Sequence, residues 1–319
     1  MAVTKILRKV RDIFPGLVFS PTVAELSLYC YTHTPDDPGR IYVPKVDPAY
    51  EFQLAPLEAL IIGEVLNRPV YLHGHTGTGK TSLIAQFCAL RGREMIRQNF
   101  DEHISRAELV GSPTVAVEAG ASVIKFRYGS LATSMMRPAT WLADEFDTGS
   151  PSSTVVVNPV LESAEPTLHI PETEEVIVPN KDWRVVATGN TDGVNPDPRG
   201  IYAGTQTQNA ASLNRFAFRM EVEYNSPEAE EKVLLRKYPG FPTELLSKVI
   251  SFGREYRQAF LGTQELSTPF STRTLHNWVE GTIFTGSIYR AFAMTFLAAV
   301  PAPEKRTVTE LARRLGVSE

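Results

Sequence analysis

The middle of the chain alternates between short apolar runs and longer runs with the spacing of a helix. Five short runs have the apolar and β-branched character of buried strands: PVYLHG, EMIRQNF, TWLADE, WRVVATGN and RMEVEY. After the first of them, Leu83, Phe87 and Leu90 recur at helical spacing. Strands that alternate with helices favour a mostly parallel sheet covered by helices. The pattern therefore predicts an α/β domain over residues 46–225.

The pattern changes beyond Pro227, where the remaining segments are all helical. Ser226 is a suitable N-cap there, with Pro227 at the first helical position. The predicted helices are EAEEKVLLRKY, TELLSKVISFGREYRQAF, TRTLHNWVEGTIF, SIYRAFAMTFLAA and EKRTVTELARRL. The sequence therefore predicts a separate α-helical lid domain over residues 226–319.

The first part of the chain carries turn signals (TPDDPGR) and no clear repeat, which predicts a small N-terminal extension over residues 1–45. Within it, TKILRKVRDIF is a short, basic, amphipathic stretch. We expect a helix that docks on the same protein, with a targeting or membrane role as the alternative.

Two stretches alternate apolar and polar residues but do not belong to the sheet pattern. The first, TVAVEAGASVIKF, predicts a hairpin that turns at residues 118–121. The second, TLHIPETEEVIV, predicts a hairpin that turns at residues 171–174. Both lie between core elements, so we interpret them as insertions.

A glycine-rich loop between a predicted strand and a predicted helix carries the strongest chemical signal. From Gly74 to Thr81 the sequence fits G-x-x-x-x-G-K-[ST], although a chance glycine-rich turn is the alternative. Such a loop leaves backbone N–H groups free to surround phosphates, while Lys80 would reach the β- and γ-phosphates and the Thr81 hydroxyl would bind Mg²⁺. The predicted nucleotide-binding residues are Gly74, Thr76, Gly77, Thr78, Gly79, Lys80, Thr81 and Ser82.

The base is predicted to be adenine. NKDW superficially resembles the guanine-selecting Asn-Lys-x-Asp pattern, but Trp183 occupies the position that requires Asp. The predicted cofactors are therefore ATP and Mg²⁺.

Acidic residues end the apolar strand ATWLADEFD. We predict that Asp144 serves the metal and that Glu145 activates water, because strand-end carboxylates beside a phosphate loop do this work in phosphoryl transfer. An acidic pair on a solvated surface is the alternative. Asn190 ends the later strand VVATGN, where its amide would bind water and the γ-phosphate; a turn-forming asparagine is an equal alternative.

Two arginines follow, Arg215 in ASLNRFAF and Arg273 in FSTRTL. Taken singly, each fits a surface or salt-bridge residue better than a catalytic one. Their position after the phosphate loop, the acidic strand end and the asparagine strand end makes both candidates for the catalytic site.

That order of motifs resembles AAA+ ATPases, and the two hairpins resemble a clade with a helix-2 insert and a pre-sensor-1 hairpin. Within it the chain is most similar to MoxR-like ATPases, specifically the AAA+ subunit of aerobic cobaltochelatase. The segments that carry this resemblance are YVPKVDPAYEF, HGHTGTGKTS, NFDEHISRAELVG, ADEFDTG, VLES, VVATGNT, GIYAGTQTQNAASLNRF and STRTLHNW. It implies sensor-1 Asn190, arginine finger Arg215 and sensor-2 Arg273. Asn214 departs from the Asp that usually precedes the Arg-Phe pair.

The resemblance also implies how the protein works. It predicts a homo-oligomeric ring, a hexamer, in which ATP hydrolysis moves the hairpins and remodels a partner. In the cobaltochelatase family the partners are a von Willebrand A-domain subunit and a large chelatase subunit, and ATP use drives cobalt insertion into a corrin ring. The alternatives are a MoxR-type maturation chaperone with another client and a nucleotide-binding scaffold that does not hydrolyse ATP.

Composition excludes some classes of protein. Of the 319 residues, 43% are hydrophobic and 21% charged, which is ordinary for a globular protein. The formal charge of −4 gives no basic field for nucleic acid, so a translocase is disfavoured. Cys30 and Cys88 have no metal-type spacing and suit the reducing cytoplasm. No apolar run reaches membrane-spanning length.

Overall fold

The structure is a computed structural model that describes residues 3–118, 121–162, 165–194, 200–202, 204–262 and 265–318. The strands in this part of the chain are β1 (Val3–Lys9), β2 (Ser27–His33), β3 (Val70–His73), β4 (Glu94–Asn99), β5 (Gly111–Glu118), β6 (Ala121–Tyr128), β7 (Ala139–Asp144), β8 (Leu168–Ile170), β9 (Glu175–Ile177), β10 (Arg184–Gly189) and β11 (Phe218–Glu221).

The helices follow the same order along the chain. They are α1 (Val10–Ile13), α2 (Pro21–Glu25), α3 (Leu54–Leu66), α4 (Lys80–Ala89), α5 (Arg106–Leu109), α6 (Ser130–Met135), α7 (Pro151–Thr154), α8 (Asn158–Leu161), α9 (Ala210–Leu213), α10 (Pro227–Lys237), α11 (Thr243–Gly262), α12 (Thr272–Thr285), α13 (Ile288–Thr295) and α14 (Lys305–Arg314). Short 3₁₀ turns occur at Pro38–Tyr42, Phe146–Thr148, Val155–Val157 and Leu297–Ala299.

The five predicted strands form one parallel sheet, which confirms the α/β prediction. The strand order is β11-β3-β10-β7-β4. The glycine-rich loop follows β3, which pairs with β10, and β10 in turn pairs with β7, the strand that ends in Asp144. Every residue of β7 is buried, as expected for a central strand covered on both faces. Because all five strands run the same way, their carboxyl ends meet at one edge of the sheet.

Two apolar clusters cover the sheet. One contains Leu57 and Phe87 from α3 and α4 together with Leu72 of β3. The other contains Trp141 of β7 and Phe146 just after it. The helices and turns that follow the strands therefore bury both faces.

The N-terminal residues dock on the protein as expected, but mostly not as a helix. TKILRKVRDIF forms β1, which pairs antiparallel with β2 along its whole length, and only Val10–Ile13 is helical. Pairing with β2, about twenty residues away along the chain, therefore determines the conformation of these residues, despite their helical spacing. Docking is confirmed, because Val10, Ile13 and Phe14 are buried in the cluster that contains Leu57.

Both predicted hairpins are present. β5 pairs with β6, and β8 pairs with β9, each antiparallel. In the first hairpin residues 118 and 121 face each other, while residues 119–120 of the predicted turn lie outside the described residues. The second turns over 171–174, with Glu174 in the left-handed region at φ 58°.

The C-terminal segment contains helices α10–α14 where the pattern predicts helices. The Ser226 hydroxyl accepts the Ala229 N–H at 3.2 Å, which confirms the N-cap. Phe252, Trp278 and Phe292 are fully buried in an apolar cluster separate from those of the sheet. Trp278 is thus a core residue, as the helical spacing predicts. The domain boundaries at residues 45 and 225 stay predictions.

Candidate functional site

The glycine-rich loop connects the end of β3 to the start of α4. Gly74, Gly77 and Gly79 all have positive φ, at 142°, 74° and 94°. A Cβ on Gly74 would lie 2.3 Å from the Val222 carbonyl oxygen, and one on Gly77 would lie 2.1 Å from Cβ of Ser271. Glycine is needed at these two positions for both conformation and space. The loop therefore passes close to β11 and to the lid. It carries no side chain at Gly79, immediately before α4 begins, which leaves the backbone N–H groups there accessible to an anion.

Lys80 is folded back into this loop. Its side chain is buried, and Nζ donates to the carbonyl oxygens of Gly74 and His75 and, at 3.3 Å, to Oδ1 of Asn190. Burial lowers the pKa of Lys80 to about 8, against the opposing effect of nearby carboxylates, of which Asp147 is the strongest. The lysine and the predicted asparagine thus meet at the carboxyl edge of the sheet.

Thr81 and Asp144 are in direct contact. The Thr81 hydroxyl lies 2.9 Å and 3.1 Å from the two carboxylate oxygens of Asp144. Asp144 is 2% exposed, and it also accepts from the Thr188 hydroxyl and pairs with Arg97 at 2.6 Å. Hydroxyl and carboxylate oxygens are the ligands that Mg²⁺ prefers, so these two residues fit that ion. Sequence reasoning missed Arg97, which lies within the strand EMIRQNF.

Glu145 has the backbone of a constrained position. Its φ and ψ are 57° and 40°, in the left-handed region that non-glycine residues rarely adopt, and its N–H donates to the Thr188 hydroxyl. Its side chain is exposed towards the cavity rather than buried in the core. Desolvation of the carboxyl group, and then the charges of Asp144 and Asp147, raise the pKa of Glu145. A carboxylate with a raised pKa is a better proton acceptor.

Asp147 is a further acidic residue that sequence reasoning missed. It is fully buried, and its Oδ2 accepts from the Thr191 N–H at 2.8 Å and the Thr191 hydroxyl at 2.9 Å. Tyr71 donates its hydroxyl to the Thr191 carbonyl at 2.8 Å. The residue after Asn190 is therefore held from both sides. Burial raises the pKa of Asp147 despite these hydrogen bonds, and its Oδ1 has no hydrogen-bond partner among the described residues.

The loop, the strand ends and the lid enclose a cavity of about 550 Å³. The N–H of Thr272, the first residue of α12, donates to the Gly77 carbonyl at 3.2 Å, so the lid rests on the loop. Predicted residues that line the cavity are Thr76, Gly77, Thr78, Gly79, Lys80, Thr81, Ser82, Asp144, Glu145, Asn190 and Arg273. Gly74 joins them through its carbonyl bond to Lys80.

Arg215 is the predicted residue that the structure does not bring to this cavity. Its Nε pairs with Glu162 at 2.6 Å and its Nη1 donates to the Ala211 carbonyl at 2.7 Å. Glu162 lies just after α8, in the segment VLES, so the arginine is held at a different part of the domain. The Asn214 N–H closes α9 by donating to the Ala210 carbonyl.

Comparison with known proteins identifies the family of the chain. A family profile described as an AAA domain of the dynein-related subfamily matches residues 69–199. The chain is 34% identical over 276 residues to the aerobic cobaltochelatase subunit CobS of Sinorhizobium sp., covering 85% of this chain and 82% of that protein. The chain belongs to the AAA+ ATPase family of CobS. It is an ATPase with the AAA+ fold.

More distant similarities concern smaller parts of other proteins. The CobS-family chain is 25% identical over 237 residues to midasin of Dictyostelium discoideum, of which it spans 4%. Its fold is similar to a solved chain of the S. cerevisiae Hsp104:casein complex, with a TM-score of 0.51 and 17% identity over 74% of this chain and 44% of that one. Separately, none of the helices described here has the length and apolar character needed to cross a bilayer.

Proposed function

We propose that this CobS-family ATPase is the Mg-ATP-driven motor of a homo-oligomeric ring, a hexamer, and that it remodels a partner protein. The observation that supports this best is the convergence of phosphate loop, strand-end carboxylates, strand-end amide and lid arginine on one cavity. A protein that only binds nucleotide has no need of that complete set. We also place it in the cytoplasm, which suits its two free cysteines.

In this proposal the residues divide the work of hydrolysis. Lys80 neutralises phosphate charge. Thr81 and Asp144 would hold Mg²⁺, which would supply further positive charge to the site. Glu145 takes the proton of the attacking water, because its carboxyl faces the cavity and its pKa is raised. Asn190 orients that water, and its own position is set by the Thr191 contacts with Asp147 and Tyr71.

Arg215 acts on the ATP of the neighbouring subunit in this proposal. It lies outside the cavity of its own subunit and is held by Glu162. An intramolecular salt bridge alone is the competing explanation. An arginine supplied to the γ-phosphate from outside is worth about 10³–10⁵ in rate.

A mixing experiment tests the ring and the arginine together. Arg215→Ala and Lys80→Ala subunits, each inactive alone, should regain ATPase activity when mixed, since some interfaces then join an intact phosphate loop to an intact arginine. Activity per subunit should also rise with protein concentration. Full hydrolysis by a verified monomer would refute the shared site.

The hairpins support a mechanical role. In β5–β6, Val115 and Val117 are 74% exposed and Ile124 is 80% exposed, and Val115 lies directly opposite Ile124. An exposed apolar face on a projecting hairpin is typical of a protein contact. By resemblance, the proposed partners are a von Willebrand A-domain protein and a large chelatase subunit, and the proposed reaction is cobalt insertion into a corrin ring by those partners. A MoxR-type maturation chaperone is the alternative.

Shortening the second hairpin tests whether ATP hydrolysis is coupled to the partner through it. Residues 171–174 are a solvated turn outside the sheet, so their replacement by a two-residue turn should leave basal ATPase activity intact and abolish the partner reaction. Cobalt insertion measured with purified partners distinguishes the chelatase role from the chaperone role. A shortened variant that still supports the partner reaction at full rate contradicts coupling through this hairpin.

A further inference from the structure

The cavity continues past the phosphate loop along helix α12. Thr272, at the start of that helix, touches the loop at Gly77, and Arg273 follows it. His276 lies three residues after Arg273, so it shares the same helix face about 4.5 Å farther from the loop. His276 lines the cavity together with Asp47, Tyr50 and Gln86. A nucleotide whose phosphates lie in the loop would extend its base towards these residues.

One amide fixes another part of the cavity wall. The Gln86 Nε2 donates to the Lys45 carbonyl at 2.9 Å, and its Oε1 accepts the Asp47 N–H at 2.8 Å. Both ends of the amide are thus occupied in fixing the segment before Tyr50. Gln86 therefore shapes the cavity wall.

The hydrogen bonds around Tyr238 determine which nitrogen of His276 carries the proton. The Tyr238 hydroxyl donates to Glu280 at 2.6 Å, so its single proton is used there. The same oxygen lies 3.3 Å from Nδ1 of His276, and it can only accept in that contact. Nδ1 therefore carries the proton in the neutral ring, and Nε2 is an acceptor.

The ring stays neutral at physiological pH. Burial, followed by the positive charge of Lys237, lowers the pKa of His276 to about 4; Glu280 and Asp47 act in the opposite direction. No group among the described residues forms a hydrogen bond with Nε2.

We propose that Nε2 of His276 accepts a hydrogen bond from the exocyclic amino group of adenine and thereby selects ATP over nucleotides with a 6-oxo base. Adenine presents a donor at position 6, whereas guanine and hypoxanthine present an acceptor there. Two acceptors facing each other would leave Nε2 without a partner once a base covers it, which costs more than the lost hydrogen bond. This inference rests on the proposed function of the same site as an ATP-binding site.

The test compares ATP with inosine triphosphate, which differs from ATP at position 6 and lacks the 2-amino group of guanine. Binding of both nucleotides to the full chain is measured by calorimetry. The parent protein should prefer ATP by about tenfold or more, as expected for one matched against one mismatched buried hydrogen bond. His276→Phe keeps an aromatic ring without the acceptor, so ATP affinity should fall about tenfold while inosine triphosphate affinity stays the same.

Two further variants separate specificity from structure. Tyr238→Phe removes the hydroxyl that fixes the tautomer, so it should reduce the preference for ATP without abolishing binding. His103→Phe changes a histidine whose side chain is 85% exposed and should change neither affinity. Nitrogen NMR of the imidazole should show the proton on Nδ1 in the parent protein.

The outcomes distinguish the two proposals. If the parent protein binds no ATP, or Lys80→Ala binds it equally well, the proposed function fails and this inference fails with it. If ATP binding depends on Lys80 but His276→Phe weakens both nucleotides equally, or neither, only the inference about His276 is overturned. A proton found on Nε2 overturns it as well.

Discussion

The two ends of the central sheet both bury charged side chains, but they treat them differently. At the amino ends of the strands Glu64 contacts three guanidinium groups: Arg93 at 3.0 Å, Arg91 at 3.3 Å and Arg184 at 4.0 Å. Although burial alone would raise it, these arginines lower the pKa of Glu64 to about 2. At the carboxyl ends Lys80 contacts two carbonyls and an amide instead of a carboxylate.

The two ends differ in whether opposite charges compensate the burial of their charged groups. Burial depresses the pKa of Lys80, raises that of Glu145 and leaves Asp147 Oδ1 without a hydrogen bond among the described residues. At the amino ends opposite charges compensate the burial of Glu64, so that end contributes to folding. At the carboxyl ends Asp144 pairs with Arg97, whereas Lys80 makes no ion pair with a carboxylate among the described residues. Perturbed groups of this kind are typical of a ligand-binding site.

The largest effect on stability should come from breaking the amino-end cluster. Glu64→Gln leaves the buried Arg91 and Arg93 and the partly buried Arg184 without their carboxylate. It should lower the free energy of unfolding by about 3–5 kcal/mol. Urea unfolding measures this, and ATP affinity below the transition should be unchanged. Arg306→Gln breaks the exposed pair with Glu310 and should leave stability unaltered within error. Equal stability of the Glu64 variant would show that the cluster is not structural.

A smaller effect is expected from Asp147→Asn at the carboxyl ends. The amide keeps the shape of the carboxylate but loses its charge and weakens the hold on Thr191, next to Asn190. We expect kcat to fall about tenfold to a hundredfold, as misplaced catalytic groups do, with KM for ATP changed only slightly. Steady-state kinetics measure both quantities. A change in KM alone would mean that Asp147 serves binding and does not position Asn190.

The pH dependence of ATP binding should be the mildest effect. With a pKa of about 8, Lys80 is charged below pH 8 and loses its charge as pH rises through that value. The dissociation constant for ATP should therefore increase above pH 8, by up to about tenfold per pH unit. Phosphate itself titrates near pH 6, outside this window.

Asp147→Asn sharpens this result, because Asp147 raises the pKa of Lys80 in the parent protein. The increase in the dissociation constant should then begin at a lower pH. A profile that is flat to pH 9.5 in both proteins would contradict the assignment to Lys80.

The sequence predicts most of the sheet because its strands are buried, and burial leaves an apolar signature. It fails for TKILRKVRDIF, where pairing of β1 with β2 overrides helical spacing. It also misses Asp147, although DEFD contains a third acid, because its role depends on Thr191 at the end of another strand. The pair of Arg215 with Glu162 joins residues 53 positions apart, and no local pattern indicates it. Local signals therefore predict elements and motifs, while tertiary contacts decide which polar residues support them.

The most direct test of the account measures ATP binding and ATP turnover in the same three proteins: the parent, Lys80→Ala and Glu145→Gln. We predict that Lys80→Ala binds ATP weakly or not at all. Glu145→Gln should bind ATP with parental affinity and hydrolyse it about 10²–10⁴ times more slowly, because it keeps the phosphate site and loses the proton acceptor. Turnover by Glu145→Gln within a few-fold of the parent protein would contradict the assignment of catalysis to this edge of the sheet.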